Sequence, residues 1–262
     1  MRQAIISDLH SNLEALTRVL TDIDRQKCDS IICLGDLVNY GANPNEVIAL
    51  LNERKVPCLL GNHDQYVQTM LKEPGIKYSA DYFEVSENTF KAMQWTVKNL
   101  NEKSKLFLFK SKLSKIKDGE DTYAHGSPRP AVENVEYLLP TTQDTQSVLK
   151  DGSDVFQLFE KNCFVGHSHL SGIAWQEDDK FPYAALTDQD TNLFVLNNKS
   201  LVVVGSVGQP RDGDVRSCYV IYDKEANTVE FRRVFYNIQK TANTIIKAGL
   251  PAKHANRLFQ GL

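Results

Sequence analysis

Five short polar clusters hold most of the side chains in this sequence that could do chemistry. Each cluster follows an apolar run, as the residues after a buried strand do. In chain order the clusters are Asp8-Leu9-His10, Gly35-Asp36, Gly61-Asn62-His63-Asp64, His125-Gly126 and Gly166-His167-Ser168-His169. Carboxylate oxygens combined with imidazole nitrogens are the ligands that borderline divalent metals such as Mn, Fe, Zn and Ni prefer. The clusters therefore predict a metal centre.

The spacing within two clusters predicts how their side chains meet. In an extended segment, residues i and i+2 point to the same side. We therefore expect Asp8 and His10 to converge on one point, and His167 and His169 to do the same. A lone histidine is more often a hydrogen-bonded structural residue, but histidines and aspartates in step at several strand ends favour the metal interpretation. His254, near the C-terminus, is expected to have no part in the site.

Alternating strands and helices must position these clusters. Ser11 and Glu14 form a capping-box pattern that predicts a helix start, and Asp64 is expected to cap a helix that begins at Gln65. Short apolar runs predict buried strands at residues 4–6, 31–34 and 56–60. This alternation indicates a parallel α/β layer, and open α/β sheets bind ligands at the carboxyl ends of their strands.

The rest of the chain changes character twice. Residues 79–100 carry aromatic and aliphatic side chains with few breakers, which predicts helices in an insertion over about 74–104. The lysine-rich stretch 110–119 ends in a turn sequence and predicts a solvated hairpin. From Thr122 onward, apolar runs separated by turn residues predict mainly strands, and a helical tail begins at Ile238.

Composition excludes several classes of protein. The 262 residues are 42% hydrophobic and 24% charged, with a formal net charge of −3, which excludes a disordered or fibrous chain. The near-neutral charge argues against broad nucleic-acid binding. The sequence has no run of about 20 apolar residues, and its first apolar run is too short for a signal peptide. We therefore expect a cytoplasmic protein with no membrane or nucleic-acid partner.

The order of the clusters resembles that of the calcineurin-like metallophosphoesterase superfamily. The motifs match over residues 5–169, and the stretches 8–16 and 205–213 resemble a small bacterial phosphoesterase branch of it. The resemblance implies an α/β fold, a four-layer αββα sandwich of two mixed β-sheets with a helical insertion. Because the clusters run across the middle of the sequence, we expect a single domain over residues 1–262.

The resemblance also implies two divalent transition-metal ions and a metal-bound hydroxide that attacks phosphorus. One ion would be held by Asp8, His10, Asp36 and His169. The other would be held by Asp36, Asn62, His125 and His167, with the aspartate bridging. His63 is not itself a ligand in the family, and it becomes the candidate general acid for the leaving oxygen.

Two positions depart from the pattern of the protein Ser/Thr phosphatases in this superfamily. Asn39 replaces the aspartate that orients the catalytic histidine, and Tyr40 replaces the arginine that grips phosphate. An asparagine can still accept a hydrogen bond from His63, but it cannot balance a charged imidazolium. The candidate substrate-binding residues are therefore Asn39, Arg129 and Arg211.

These observations predict a dinuclear metal-dependent phosphoesterase that acts on a small phosphorylated substrate, as a phosphodiesterase or a phosphatase. The alternatives are a non-catalytic metal-binding scaffold with the same fold, a protein Ser/Thr phosphatase and a dinucleoside polyphosphate hydrolase. The identity of the metals (Mn, Fe, Zn or Ni), the natural substrate and the oligomeric state stay open at this point.

Overall fold

Two β-sheets pack face to face at the centre of the structure. The computed structural model describes residues 1–111, 115–129, 152–178, 183–185 and 192–262. In chain order the strands are β1 (Arg2–Ile6), β2 (Ser30–Cys33), β3 (Lys115–Asp118), β4 (Asp121–Ala124), β5 (Asn162–Val165), β6 (Ser171–Trp175), β7 (Tyr183–Ala185), β8 (Leu193–Val195), β9 (Ser200–Val204), β10 (Ser217–Asp223) and β11 (Thr228–Val234). The helices are α1 (Leu13–Arg25), α2 (Pro44–Glu53), α3 (Asn62–Lys72), α4 (Glu87–Asn99), α5 (Glu102–Lys110), α6 (Gly152–Phe156), α7 (Ile238–Lys247) and α8 (Ala252–Asn256), with short 3-10 helices at Asp81–Phe83 and Arg257–Phe259.

Both sheets are mixed. The first has the strand order β2-β1-β10-β11-β8, and the second has the order β3-β4-β5-β9-β6-β7. Within them β1 runs parallel to β2, and β5 runs parallel to β4 and β9. Apolar side chains such as Ile5 and Val220 from the first sheet meet Phe164 and Val202 from the second. Because α1 and α2 cover the outer face of the first sheet and α6 that of the second, the predicted αββα sandwich is confirmed.

Helix α1 begins one residue later than its capping pattern predicts. Asn12 is the N-cap, and its side-chain oxygen accepts a hydrogen bond from the Ala15 N–H at 3.2 Å. The expected cap, Ser11, has a positive φ of 55°, whereas an N-cap residue normally has an extended backbone. The Asn12 amide also donates to the Gly208 carbonyl at 2.8 Å, which joins the start of this helix to the late glycine-rich stretch.

The prediction of a strand at residues 56–60 is wrong. This segment makes a single β-bridge, between Cys33 and Cys58, and is too irregular to count as a strand. The Cys33 N–H donates to the Pro57 carbonyl at 2.9 Å, and the Leu59 N–H donates to the Cys33 carbonyl at 2.8 Å. Pro57 has no N–H with which to extend the ladder. The segment still runs beside β2 and leads directly into α3.

The middle of the chain contains the predicted helices, while the hairpin predicted at 110–119 includes residues 112–114, which lie outside the described residues. α4 packs on α3 and α5 packs on α2, while β3 and β4 form an antiparallel hairpin that turns at Gly119. The helices extend to Lys110, beyond the expected boundary near residue 104. The insertion and the single domain over 1–262 stay predictions. In the described part of the chain, no helix is both long and apolar enough to cross a membrane.

Candidate metal centre

The predicted ligand clusters meet at one edge of the sandwich, where strands of both sheets end. The cluster residues follow β1 (Asp8, His10), β2 (Asp36), β4 (His125) and β5 (His167, His169), while Asn62 and His63 open α3. Each of these residues is at most 8% exposed. Among the described residues, two groups place their ligand atoms within 4.8 Å of one another: Asp8, His10, Asp36 and His169; and Asp36, His125 and His167. Asp36 belongs to both groups, so the two groups adjoin.

Left-handed backbone turns, rather than extended segments, bring these side chains together. φ is 54° at Asp8, 45° at His10, 64° at His167 and 60° at His169. Few residues other than glycine adopt such angles, and they cluster at functional sites because surrounding structure must hold them. Asp8 and His10 do converge, but through left-handed turns and not through the i, i+2 alternation of an extended segment. The prediction that His167 and His169 converge on one point is wrong, because they lie in different groups.

Two glycines allow the ligand loops to approach this closely. A Cβ at Gly61 would lie 2.0 Å from Asp36 Oδ1, and a Cβ at Gly166 would lie 2.6 Å from Asp8 Oδ2. The same two carboxylates accept backbone hydrogen bonds, at 3.0 Å from the His63 N–H and at 3.0 Å from the His167 N–H. Each aspartate is thus held in place by a backbone N–H group from another of the loops that carry candidate ligands.

Asp64 ties two of the ligand loops together. Its Oδ1 accepts from the N–H groups of Leu37 at 2.9 Å and Val38 at 3.2 Å, and its Oδ2 accepts from the Gly61 N–H at 3.1 Å. The helix starts at Asn62, so Asp64 lies in its first turn and is not the cap of a helix beginning at Gln65. Burial, and next the nearby Asp36, raise the pKa of Asp64 to about 7. The sequence did not indicate this bracing role, because it depends on a loop 26 residues away.

The imidazoles of His10 and His169 face each other through their Nε2 atoms, 3.0 Å apart. The Nδ1–H of His10 donates to the Val38 carbonyl at 3.2 Å, and the Nδ1–H of His169 donates to the Gln209 carbonyl at 2.5 Å. Both Nε2 atoms therefore direct a lone pair inward, which is the usual arrangement of metal-binding histidines. Burial lowers the pKa of both rings, so protons do not separate the lone pairs at neutral pH. Asp8 Oδ1 is buried beside them and accepts no hydrogen bond among the described residues.

His125 presents its Nε2 atom to oxygens only. This atom lies 3.3 Å from Asp36 Oδ2 and 3.3 Å from Asn62 Oδ1, while the Nδ1–H donates to the Leu34 carbonyl at 3.1 Å. Burial lowers the pKa of His125, but Asp36 and then Asp8 outweigh it and raise the pKa to about 9. A raised pKa shows that this position favours positive charge, as a site for a cation does. In both groups carboxylate oxygens and imidazole nitrogens converge, a donor set that fits a divalent metal ion.

The carboxylate of Asp36 is ionised between these groups. Burial raises its pKa, but His125, His63 and His10 together hold the pKa well below the usual range. An ionised carboxylate beside buried imidazoles is a combination of ligands that borderline divalent metals prefer.

His63 lies beside this centre with its ring between Asn39 and Tyr40. Its Nδ1 is 2.7 Å from Asn39 Nδ2, and its Nε2 is 3.1 Å from the Tyr40 hydroxyl. The Asn39 oxygen accepts from the Tyr40 N–H at 2.9 Å, so the Asn39 amide donates to His63. Asn39 therefore does not use its capacity to accept a hydrogen bond from His63. Burial, opposed by Asp36 and aided by Arg211, lowers the pKa of His63 to about 4.

The two predicted arginines differ in what the structure shows of them. The Arg211 guanidinium lies 6.0 Å from the centre of the Tyr40 ring and donates to Gln209 Oε1 at 3.0 Å, which places its charge beside His63. Arg129 is half-buried and lies five residues after the end of β4, and its backbone N–H donates to Ser127 Oγ at 3.3 Å. Substrate binding by Arg129, Arg211 and Asn39 stays a prediction.

His254 lies close to the site, although neither group of candidate ligands among the described residues includes it. Its ring lies against that of Tyr40, with centroids 4.7 Å apart and planes tilted by 35°, and lines a cavity that also borders His10. Its Nε2–H donates to the Asn88 carbonyl at 3.1 Å, which ties α8 to α4. The sequence gave no indication of this position, because α8 reaches the site only through the packing of the C-terminal helices on α4.

Comparisons with known proteins agree with this geometry. The model of the calcineurin-like phosphoesterase family matches residues 1–205. An uncharacterized protein of Methanocaldococcus jannaschii is 36% identical over 261 residues, which cover 98% of this chain and 97% of that protein. The crystal structure of a metallophosphoesterase from Sphaerobacter thermophilus is 30% identical with a TM-score of 0.81, covering 100% of this chain and 99% of that one. A hypothetical protein from Pyrococcus horikoshii OT3, with 18% identity, a TM-score of 0.75 and coverages of 100% and 98%, shares the fold.

Proposed function

Since the chain belongs to the calcineurin-like phosphoesterase family, we propose that it binds two divalent transition-metal ions and hydrolyses a small phosphate ester, as a phosphodiesterase or a phosphatase. The observation that carries this proposal is the position of Asp36 between two groups of buried imidazoles. A carboxylate shared in this way can bridge two metal ions, and a pair of metal ions stabilises the attacking and leaving oxygens of a phosphoryl transfer.

The two ions would be held by the two groups of side chains described above. Asp8, His10 and His169 would complete one set, and Asn62, His125 and His167 would complete the other. When bound, the ions supply Lewis acidity toward phosphoryl oxygens and a nucleophilic water at neutral pH. Two divalent ions bring +4 and the two aspartates bring −2, so the charge of +2 that remains attracts a phosphate group.

Residues around the ions would bind and orient the substrate. The charge of Arg211 lies on the side of Tyr40 and His63, where it would attract a phosphoryl oxygen. The backbone of His63 is held by its N–H bond to Asp36, and its ring is held by the Asn39 amide at Nδ1. As a general acid, His63 would turn its Nε2 proton from the Tyr40 hydroxyl, 3.1 Å away, to the leaving oxygen of the ester. These roles follow from placement next to the shared carboxylate.

We also propose that residues 1–262 form one domain. β10 pairs with β1, and both lie in the sheet that ends in Asp8 and Asp36. The C-terminal part of the chain therefore completes the sheet that carries the first ligands.

Metal analysis combined with a two-substrate assay tests the proposed function. We expect the purified protein to retain close to two transition-metal ions per chain and, with Mn²⁺, to hydrolyse para-nitrophenyl phosphate or its bis-ester. Asp36→Asn should lose bound metal and lower kcat/KM by more than the roughly 10- to 100-fold that is typical of changes to residues behind the ligands. Asp24→Asn, which removes an exposed partner of Arg54, is the matched control and should behave like the wild type.

Two outcomes would contradict the proposal. If the purified protein binds no transition metal, the proposal of metal-dependent hydrolysis is wrong. Folded, metal-loaded protein that hydrolyses neither ester would favour a non-catalytic scaffold, because a scaffold can retain the ions without turnover.

A further inference from the structure

The glycine-rich stretch over residues 205–213 is attached to one of the ligand loops through its backbone. The Nδ1–H of His169 donates to the Gln209 carbonyl at 2.5 Å, and the Arg211 N–H donates to the His169 carbonyl at 3.2 Å. The Gln209 N–H donates to Ser206 Oγ at 2.9 Å. The backbone of Gln209 is therefore fixed directly beside a candidate metal ligand.

The side chain of Gln209 holds the guanidinium of Arg211. Gln209 is 2% exposed, and its Oε1 accepts from Nη2 of Arg211 at 3.0 Å. A guanidinium has donors only, so the amide must present its oxygen to it. Burial, and next the charge of Arg211, lower the pKa of His169, which places that charge beside the metal centre.

The partner of Arg211 differs in charge from the partners of the arginines near it. Two arginines pair with carboxylates, Arg216 with Asp214 and Arg233 with Asp212. Among the described residues, Arg211 forms no ion pair, and the neutral Gln209 is the acceptor for its side chain. A half-buried charge is costly unless a counter-ion accompanies it. Arg211 is therefore held by a neutral group, and its charge is left for an anion.

Resting on the proposed function, we infer that Gln209 is a positioning residue, whose amide oxygen holds the Arg211 guanidinium toward the metal centre so that it binds a phosphoryl oxygen of the substrate. A neutral acceptor suits this role, because a carboxylate in its place would neutralise the arginine and repel the phosphate group. Gln209 acts through Arg211 and does not itself touch the substrate. The role is one of binding and orientation, so no bond forms or breaks.

A double-mutant cycle in phosphate binding tests this inference without turnover. Calorimetry on protein loaded with Mn²⁺ and freed of excess metal gives the dissociation constant of inorganic phosphate. We expect Arg211→Met to weaken binding by about 10- to 100-fold, as the loss of a hydrogen bond to a charged group does. Gln209→Met should weaken it by about 3- to 10-fold, because the free arginine must be ordered on binding. In the Arg211→Met background, Gln209→Met should change binding by less than about twofold.

Two controls separate positioning from a structural role. Gln68→Met makes the same change at another buried glutamine, whose amide donates to the Leu108 carbonyl at 2.7 Å, and it should bind phosphate as the wild type does. Gln209→Met should keep the metal affinity of the wild type, because His169 bonds to the backbone carbonyl of residue 209, which the substitution retains.

Guanidinium NMR of the metal-loaded wild type tests the same inference if Gln209→Met does not fold. The side-chain N–H signals of Arg211 are assigned by their loss in Arg211→Met. We expect slow exchange with water, because Gln209 holds the group, and a shift of these signals when phosphate is added. Fast exchange and no shift would overturn the inference.

The outcomes also separate the inference from the proposed function. An equal loss from Gln209→Met in both backgrounds would overturn the inference, because Gln209 would then act independently of Arg211. A wild type that binds no phosphate would overturn it as well, whatever its activity. If the wild type binds phosphate but hydrolyses neither ester, the proposed function fails, and the cycle still decides the role of Gln209.

Discussion

Removing the carboxylate of Asp64 should loosen the metal centre without touching a ligand. This side chain accepts three backbone hydrogen bonds, from Leu37, Val38 and Gly61, and so joins the loop after β2 to the start of α3. Asp64→Asn keeps one oxygen but turns an N–H₂ group toward a backbone N–H. Asp64→Ala leaves all three buried donors without an acceptor.

The hydrogen bonds set the size of the effect. One buried N–H without a partner costs about 1–3 kcal/mol, so Asp64→Asn should destabilise the protein by that amount. Asp64→Ala leaves three such donors, so it should destabilise the protein by at least about 3 kcal/mol. Asp24→Asn is the matched control, because its exposed pair with Arg54 contributes about 0–1 kcal/mol.

Urea unfolding of the metal-free protein, followed by a metal titration, measures both consequences. We expect the midpoint to fall in the order wild type, Asp64→Asn, Asp64→Ala, with metal affinity falling in parallel. The pKa of Asp64 is raised to about 7 from a model-compound value of 3.8, so the stability that its proton contributes is present below pH 4 and is lost as the pH rises through 7. The advantage of the wild type over Asp64→Asn should therefore shrink over that window. An Asp64→Ala protein with unchanged stability and metal affinity would refute the bracing role.

Three further changes have defined outcomes. Because the pKa of His125 is raised to about 9, metal binding at pH 7 should release close to one proton, and calorimetry in buffers of different ionisation enthalpy should detect it. Gly61→Ala should abolish metal binding, since its Cβ would lie 2.0 Å from Oδ1 of Asp36 and displace the shared carboxylate, whereas Gly75→Ala, with open space around its Cβ, should not. Arg233→Met should destabilise the protein by up to about 3–5 kcal/mol in urea unfolding, because the half-buried carboxylate of Asp212 loses its arginine and keeps only the hydrogen bonds from Ser171 Oγ and the Asp214 N–H among the described residues. Equal stability of that variant and the wild type would mean that the ion pair does not hold the glycine-rich stretch.

The sequence predicted the architecture and the meeting of the ligand clusters because both depend on strand ends. Apolar runs locate β1, β2 and β5, and parallel strands bring their carboxyl ends to one edge. The division of His167 and His169 between two groups followed from the family resemblance and not from their spacing.

Other features could not be predicted because they depend on backbone angles and distant contacts. The left-handed turns at Asp8 and His10 replace the extended geometry that alternation assumes. The apolar residues around Pro57 favour a strand, but Pro57 has no N–H with which to continue the ladder of hydrogen bonds to β2. Asp64 and His254 acquire their positions from partners on other elements, namely the loop after β2 and helix α4. Local patterns carry no information about such partners.

Anomalous diffraction from crystals soaked in Mn²⁺ tests most directly the claim that Asp36 joins two metal sites. We predict two anomalous peaks, one against His10 and His169 and one against His125 and His167, with the Asp36 carboxylate between them. A single peak, or a second peak away from Asp36, would contradict the shared-carboxylate account.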